Sequence, residues 1–184
     1  MLHMGIFAKR RAVPHPAPAV PFPPAEAWRP LIDLLAGPLP EPQRSSRWPA
    51  FLAGAEEEGL DQDTAEARHH GHENVLITVL QDTSEWNWWL ALYVDWKDPR
   101  TAVDQAEVIA RTHGLTETFT WDWAARPDAE VDEVLAVFGQ WIGDRGLSFV
   151  PWDRGQDAYF GFVIRPDQVD EWTTLAGSLR LETP

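Results

Sequence analysis

Nine tryptophans fall between Trp86 and Trp172, out of eleven in 184 residues, and that density restricts the chain to folds with much aromatic surface to bury or to present. Indole is large and carries one N–H that wants a partner, so each copy is either a core filler with a wet edge or part of a contact surface. Several adjoin an acid, as in Glu85-Trp86, Asp95-Trp96, Trp121-Asp122-Trp123, Trp152-Asp153 and Glu171-Trp172. In a strand, neighbouring side chains point to opposite faces, so a buried tryptophan puts its acidic neighbour outside.

The net charge of −14 is unevenly placed: residues 1–60 hold six basic and six acidic side chains, residues 61–184 nine basic and 23 acidic. Such a surface repels phosphate backbones, which argues against nucleic acid, and attracts a basic protein partner. No apolar run approaches the roughly 18–20 residues that span a bilayer, so no membrane partner is expected. Lys9, Arg10 and Arg11 precede prolines rather than an apolar stretch, which does not read as a secretory signal. With no cysteine for disulfides or thiolate sites, a cytoplasmic location is expected.

Residues 1–24 read as a proline-rich tail, 25–73 as N-terminal helices with an acidic, His-containing linker, and 74–184 as an α+β core, the whole of 25–184 forming one globular domain. Trp28, Leu31, Ile32 and Leu35 have helical spacing up to Gly37, and Trp48, Phe51, Leu52 and Ala55 mark a second short helix. Residues 56–73 are expected to be a polar connection. Val75 to Gln81 reads as an apolar strand, and Trp86 to Trp96 as a second with Trp86, Trp88, Leu90, Leu92, Val94 and Trp96 facing the core. The turn residues between them predict an antiparallel hairpin. Asp98-Pro99 opens a helix ended by Gly114, and Val131, Val134, Leu135, Phe138, Trp141 and Ile142 trace another, closed by Gly146. Thr118 to Trp123 alternates briefly as a short strand or ordered loop. Leu147 to Trp152 and Asp157 to Ile164 form a second hairpin, and Pro166 opens the last helix. The expected fold is α+β: a mostly antiparallel sheet of about four strands, in two hairpins, with helices packed on it. Matching spacings, Val103-Asp104 to Ala110 to Leu115 and Val169-Asp170 to Ala176 to Leu181, suggest a ββα pseudo-repeat.

No enzyme signature emerges. His69-His70-x-His72-Glu73, with Asp61 and Asp63 upstream, has metal-like composition but lies in the expected loop without rigid spacing, so no metal site is assigned. Ser84 and Ser148 lack a nucleophile-elbow context, Lys97 reads as a surface lysine, and no phosphate-cradling glycine loop suggests a cofactor. Two carboxylates among Asp95, Asp122, Asp153 and Asp157, flanked by tryptophan, would suit a small-ligand or glycan site, hydrolytic or not. The protein-binding reading rests on Trp89 and Tyr93, placed together on the outer face of their strand and rimmed by Asp95. Candidate binding residues are therefore Trp89, Tyr93, Asp95, Trp121, Asp122, Trp123, Asp153 and Asp157. The N-terminal helices are the alternative cover for that face.

Tyr93-Val94-Asp95-Trp96-Lys97 and the Gly155-Gln156-Asp157-Ala158-Tyr159-Phe160-Gly161-Phe162-Val163 hairpin, followed by Pro166 and a terminal helix, resemble uncharacterised bacterial α+β domains, some of them near toxin–immunity systems. The resemblance covers residues 74–181. It implies a non-enzymatic, immunity-like module and no catalytic residues.

Overall fold

The computed structural model describes residues 22–60, 64–83, 85–154 and 156–181. The tail up to residue 21, together with Asp61 and Asp63, lies outside them. After a 3-10 turn at Ala25–Trp28, the described elements are α1 (Arg29–Leu35), α2 (Glu41–Leu60), α3 (Ala65–Val79), β1 (Ala91–Asp95), α4 (Pro99–Thr112), α5 (Val131–Gly143), β2 (Ser148–Trp152), β3 (Ala158–Ile164) and α6 (Val169–Ser178). None of these helices is long and apolar enough to cross a membrane.

The fold is mixed α and β, and among the described residues the antiparallel sheet has three strands in the order β1-β3-β2 rather than about four. The missing strand is Val75 to Gln81, whose apolar run continues helix α3 to Val79. A short apolar run has the same appearance in a buried strand and in a buried helix, and Val75, Leu76, Ile77, Val79 and Leu80 are all buried. The capping residue Thr64 accepts a hydrogen bond from the Ala67 N–H at 3.0 Å and starts α3, so most of the expected loop 56–73 is helical too. The first hairpin is thereby reduced to one bridge, Gln81 to Trp89.

The second hairpin forms as its alternation requires, with Phe149 opposite Val163 and Trp152 opposite Phe160. Strand β1 pairs with the other side of β3, Tyr93 opposite Phe160 and Asp95 opposite Ala158. Consequently β3 serves two cores. Phe160, Phe162 and Ile164 face α1, α2, α3 and α6, where Trp28, Phe51, Leu76, Trp152 and Trp172 pack. Val163 faces α4 and α5, with Leu92, Val94, Ile109, Phe119 and Phe138.

The ββα pseudo-repeat has no counterpart in the first half, because a helix stands where its first strand was expected. Its matched spacing has another cause. The Leu115 N–H bonds the Ala110 carbonyl at 3.1 Å and the Leu181 N–H bonds the Ala176 carbonyl at 2.9 Å, closing α4 and α6 alike. Helix α5 ends the same way, Leu147 N–H to the Ile142 carbonyl at 3.2 Å. Each closure turns on one left-handed residue, Gly114, Gly146 or Arg180, the geometry of a Schellman cap.

Side chains protect the free edges of the sheet. Gln105 on α4 mimics a neighbouring strand: its Oε1 accepts from the Tyr93 N–H at 2.9 Å and its Nε2 donates to the Tyr93 carbonyl at 2.6 Å. On the other edge, Pro151 interrupts β2 and removes one donor.

Candidate functional site

Three chain segments converge where β1 ends, β2 ends and β3 begins. Strand β1 stops at Asp95 because Asp98 N–H bonds back to the Asp95 carbonyl at 2.9 Å and Asp95 Oδ1 accepts from the Lys97 N–H at 2.9 Å. This turn throws Trp96 out of the core face that its even position predicts, leaving it 50% exposed. Beside it opens a cleft of about 520 Å³ walled by Trp96, Pro151, Tyr159 and Phe160, with Asp153 and Asp157 at its rim. No basic side chain lines it among the described residues. The Tyr159 hydroxyl is pushed above its ordinary range, first by burial and then by the Asp132 and Glu130 carboxylates at the start of α5. The acidic field over the cleft therefore comes from a helix as well as from the turn.

A second, smaller cleft of about 280 Å³ lies on the opposite sheet face, between Tyr93, Gln81 and α3, and shares Gln156 and Phe160 with the first. Tyr93 is 47% exposed and stacks on Phe160, ring centroids 4.9 Å apart. The turn itself is anchored from below. Arg154 and Glu73 are both nearly fully buried, with Arg154 Nη2 donating to Glu73 Oε2 at 3.2 Å and to Asn74 Oδ1 at 2.9 Å. The guanidinium also lies over the Trp152 and Phe160 rings, at 5.1 and 4.8 Å.

The structure thus brings Tyr93, Asp95, Asp153 and Asp157 to one end of the sheet and separates the other candidates from them. Trp89 is 4% exposed and packs in the core under α4 and α5, so it shares no face with Tyr93. The reason is a slip in alternation: Leu90 and Ala91 both enter the same core because β1 begins only at Ala91. Trp121, Asp122 and Trp123 sit in a loop rather than a strand, and the first two line a separate hollow of about 210 Å³. Asp122 Oδ1 accepts from the Ala124 and Ala125 N–H groups, which is turn chemistry.

The His69-Glu73 group, expected to be a solvated loop, is part of α3, with His69 and Glu73 buried and His70 exposed. His69 Nε2 lies 3.6 Å from Glu73 Oε1, and His70 Nδ1 is hydrogen-bonded to Glu73 Oε2 at 2.9 Å. Burial holds His69 below the usual imidazole range, partly offset by Glu73. Among the described residues no group of three His, Asp or Glu side chains is arranged to hold a metal.

Most tryptophans outside the deep core are covered by arginine. Guanidinium carbons lie over Trp48 (Arg29, 5.8 Å), Trp88 (Arg47, 4.8 Å), Trp121 (Arg126, 5.4 Å), Trp123 (Arg100, 4.6 Å) and Trp141 (Arg145, 3.9 Å), as over Trp152. Trp96 differs, being covered by the ammonium of Lys97 at 4.5 Å. Trp96 and Arg154 are the site residues that periodicity missed, the first assigned inward and the second hidden in a turn. Their signal was the Trp-Lys pair at a strand end and an arginine beside a tryptophan.

Over residues 27–183 the sequence matches a family described as a domain of unknown function, DUF6630. No curated protein and no solved structure matches it. The chain belongs to the DUF6630 family.

Proposed function

We propose that this DUF6630 domain is a protein-binding module rather than an enzyme, holding a basic partner against the acidic, aromatic end of its sheet in the manner of an immunity protein that masks a cationic toxin. The observation that carries the reading is that exposed Trp96 and Tyr93 lie with Asp95 and Asp157 at one end of the sheet, where β1 ends and β3 begins. Tryptophan and tyrosine supply hot-spot contacts at low entropic cost, and the surrounding acids steer a basic surface toward them. Since Gln105 and Pro151 protect the two sheet edges, the partner engages side chains at the sheet end rather than adding a strand.

Capture from a lysate of the source organism tests this. The intact domain is expected to retain a basic protein that the Tyr93→Ala/Trp96→Ala/Asp157→Asn variant loses at equal folded content. Retention of no protein, or equal retention by the variant, overturns the reading. The volume of the larger cleft also lies within the range of about 300–1,000 Å³ common for small-ligand sites, which supports a glycan reading with a sugar stacked on Trp96. Under that reading a neutral oligosaccharide binds saturably and independently of salt, as calorimetry would record.

A further inference from the structure

We propose that the cleft beside Trp96 is the receptor for a single arginine side chain of the partner, which takes the place of Lys97 on the Trp96 ring. The inference rests on the basic-partner reading above and narrows it to one side-chain chemistry. Six of the eleven tryptophans lie under an arginine guanidinium, at 3.9 to 5.8 Å, so guanidinium over indole is the commonest cation pairing in this chain. The two exposed tryptophans lack an arginine cover: Trp86 packs on Trp89, ring centroids 4.5 Å apart, whereas Trp96 meets Lys97. Trp96 is half exposed, its ring is met by the adjacent lysine at 4.5 Å, and it opens onto a cleft whose charged lining residues, Asp153 and Asp157, are both acidic.

The geometry favours guanidinium over ammonium. A planar cation stacks on an indole while its edge donates to a carboxylate, so Trp96 and Asp157 can be engaged together; an ammonium is a compact, strongly hydrated point charge that does one or the other. Lys97 is easily displaced because an exposed cation–π contact is weak and its flexible stem lets the ammonium return to water. Pro151 and Tyr159 also line the cleft, and the aliphatic stem of an incoming arginine packs against them.

Calorimetric titration with blocked nona-arginine and nona-lysine peptides, at about 150 mM salt so that distant charges are screened, tests the proposal. Nona-arginine should bind more tightly than nona-lysine, and Trp96→Ala should weaken the arginine peptide roughly tenfold while leaving the lysine peptide within about twofold. Lys97→Ala should tighten nona-arginine binding when Trp96 is present and not in the Trp96→Ala background. Trp86→Ala removes another exposed tryptophan outside the cleft and should change nothing. Equal binding of both peptides, indifferent to Trp96→Ala and Lys97→Ala, overturns the arginine receptor while leaving the basic-partner reading in place. Failure of the intact domain to bind either peptide overturns both.

Discussion

Removing the Arg154 side chain would leave the Glu73 carboxylate inside the protein with only imidazoles for company. Both members of this pair are nearly fully buried, and breaking a buried pair from one side is far more damaging than replacing both members. Arg154→Ala is expected to cost about 3–5 kcal/mol in urea unfolding, with the double variant Arg154→Met/Glu73→Leu recovering much of it. A second buried group makes stability depend on pH. Burial lowers His113 from 6.5 to about 4, so the unfolded chain takes up a proton that the folded chain refuses. Its stabilising contribution is complete above about pH 6.5, falls as pH drops toward 4, and amounts to about 3 kcal/mol across that window. His69 and His72 are lowered by burial as well and act in the same sense. Unfolding curves between pH 7 and 4 should therefore flatten in His113→Gln relative to the parent chain. None of this was legible at the residue scale, because a His-rich, acidic stretch reads as solvated until the helix beneath it is known. The acids Asp95, Asp153 and Asp157 were legible, since alternation alone sends them outward.

Elements with marked ends were read correctly. Asp98 accepts from the Thr101 N–H at 3.0 Å and Pro99 occupies the first turn of α4, as the Asp-Pro pair requires. Gly114 and Gly146 sit at φ of +82° and +77°, and nothing lies within 4 Å of a side chain added at either position. Gly114→Ala and Gly146→Ala should thus each cost about 1–2 kcal/mol of purely conformational origin, measured by chemical denaturation. The edge mimicry of Gln105 gives a harsher outcome. Gln105→Leu keeps the volume but strands the N–H and carbonyl of Tyr93, costing about 1–3 kcal/mol and opening β1 to pairing with other copies, which sedimentation would detect as aggregation. The misread element was α3. Its Val-Leu-Ile-Thr-Val run has the β-branched content of a strand, and only burial on several sides, which no periodicity encodes, allows it to be a helix. The spacing taken for a repeat was real, but it recorded how helices stop.

At the scale of the whole molecule, a net charge of −14 sets the domain against itself, and salt should relieve the repulsion. Raising sodium chloride from about 20 to 500 mM is expected to increase the melting temperature by calorimetry, while weakening any basic partner at the sheet end. The two cores meet on β3, whose Phe162 and Val163 face opposite layers, so the layers should unfold together and report one transition. The arginine-covered tryptophans have an optical corollary. Indoles at Trp28, Trp89, Trp152 and Trp172 are buried and should emit to the blue, whereas Trp96 and Trp86 meet solvent and should dominate the red edge. Acrylamide should reach those two first. In a Trp86→Phe background the quenchable emission then belongs chiefly to Trp96, so the domain carries its own unlabelled lamp at the mouth of the cleft.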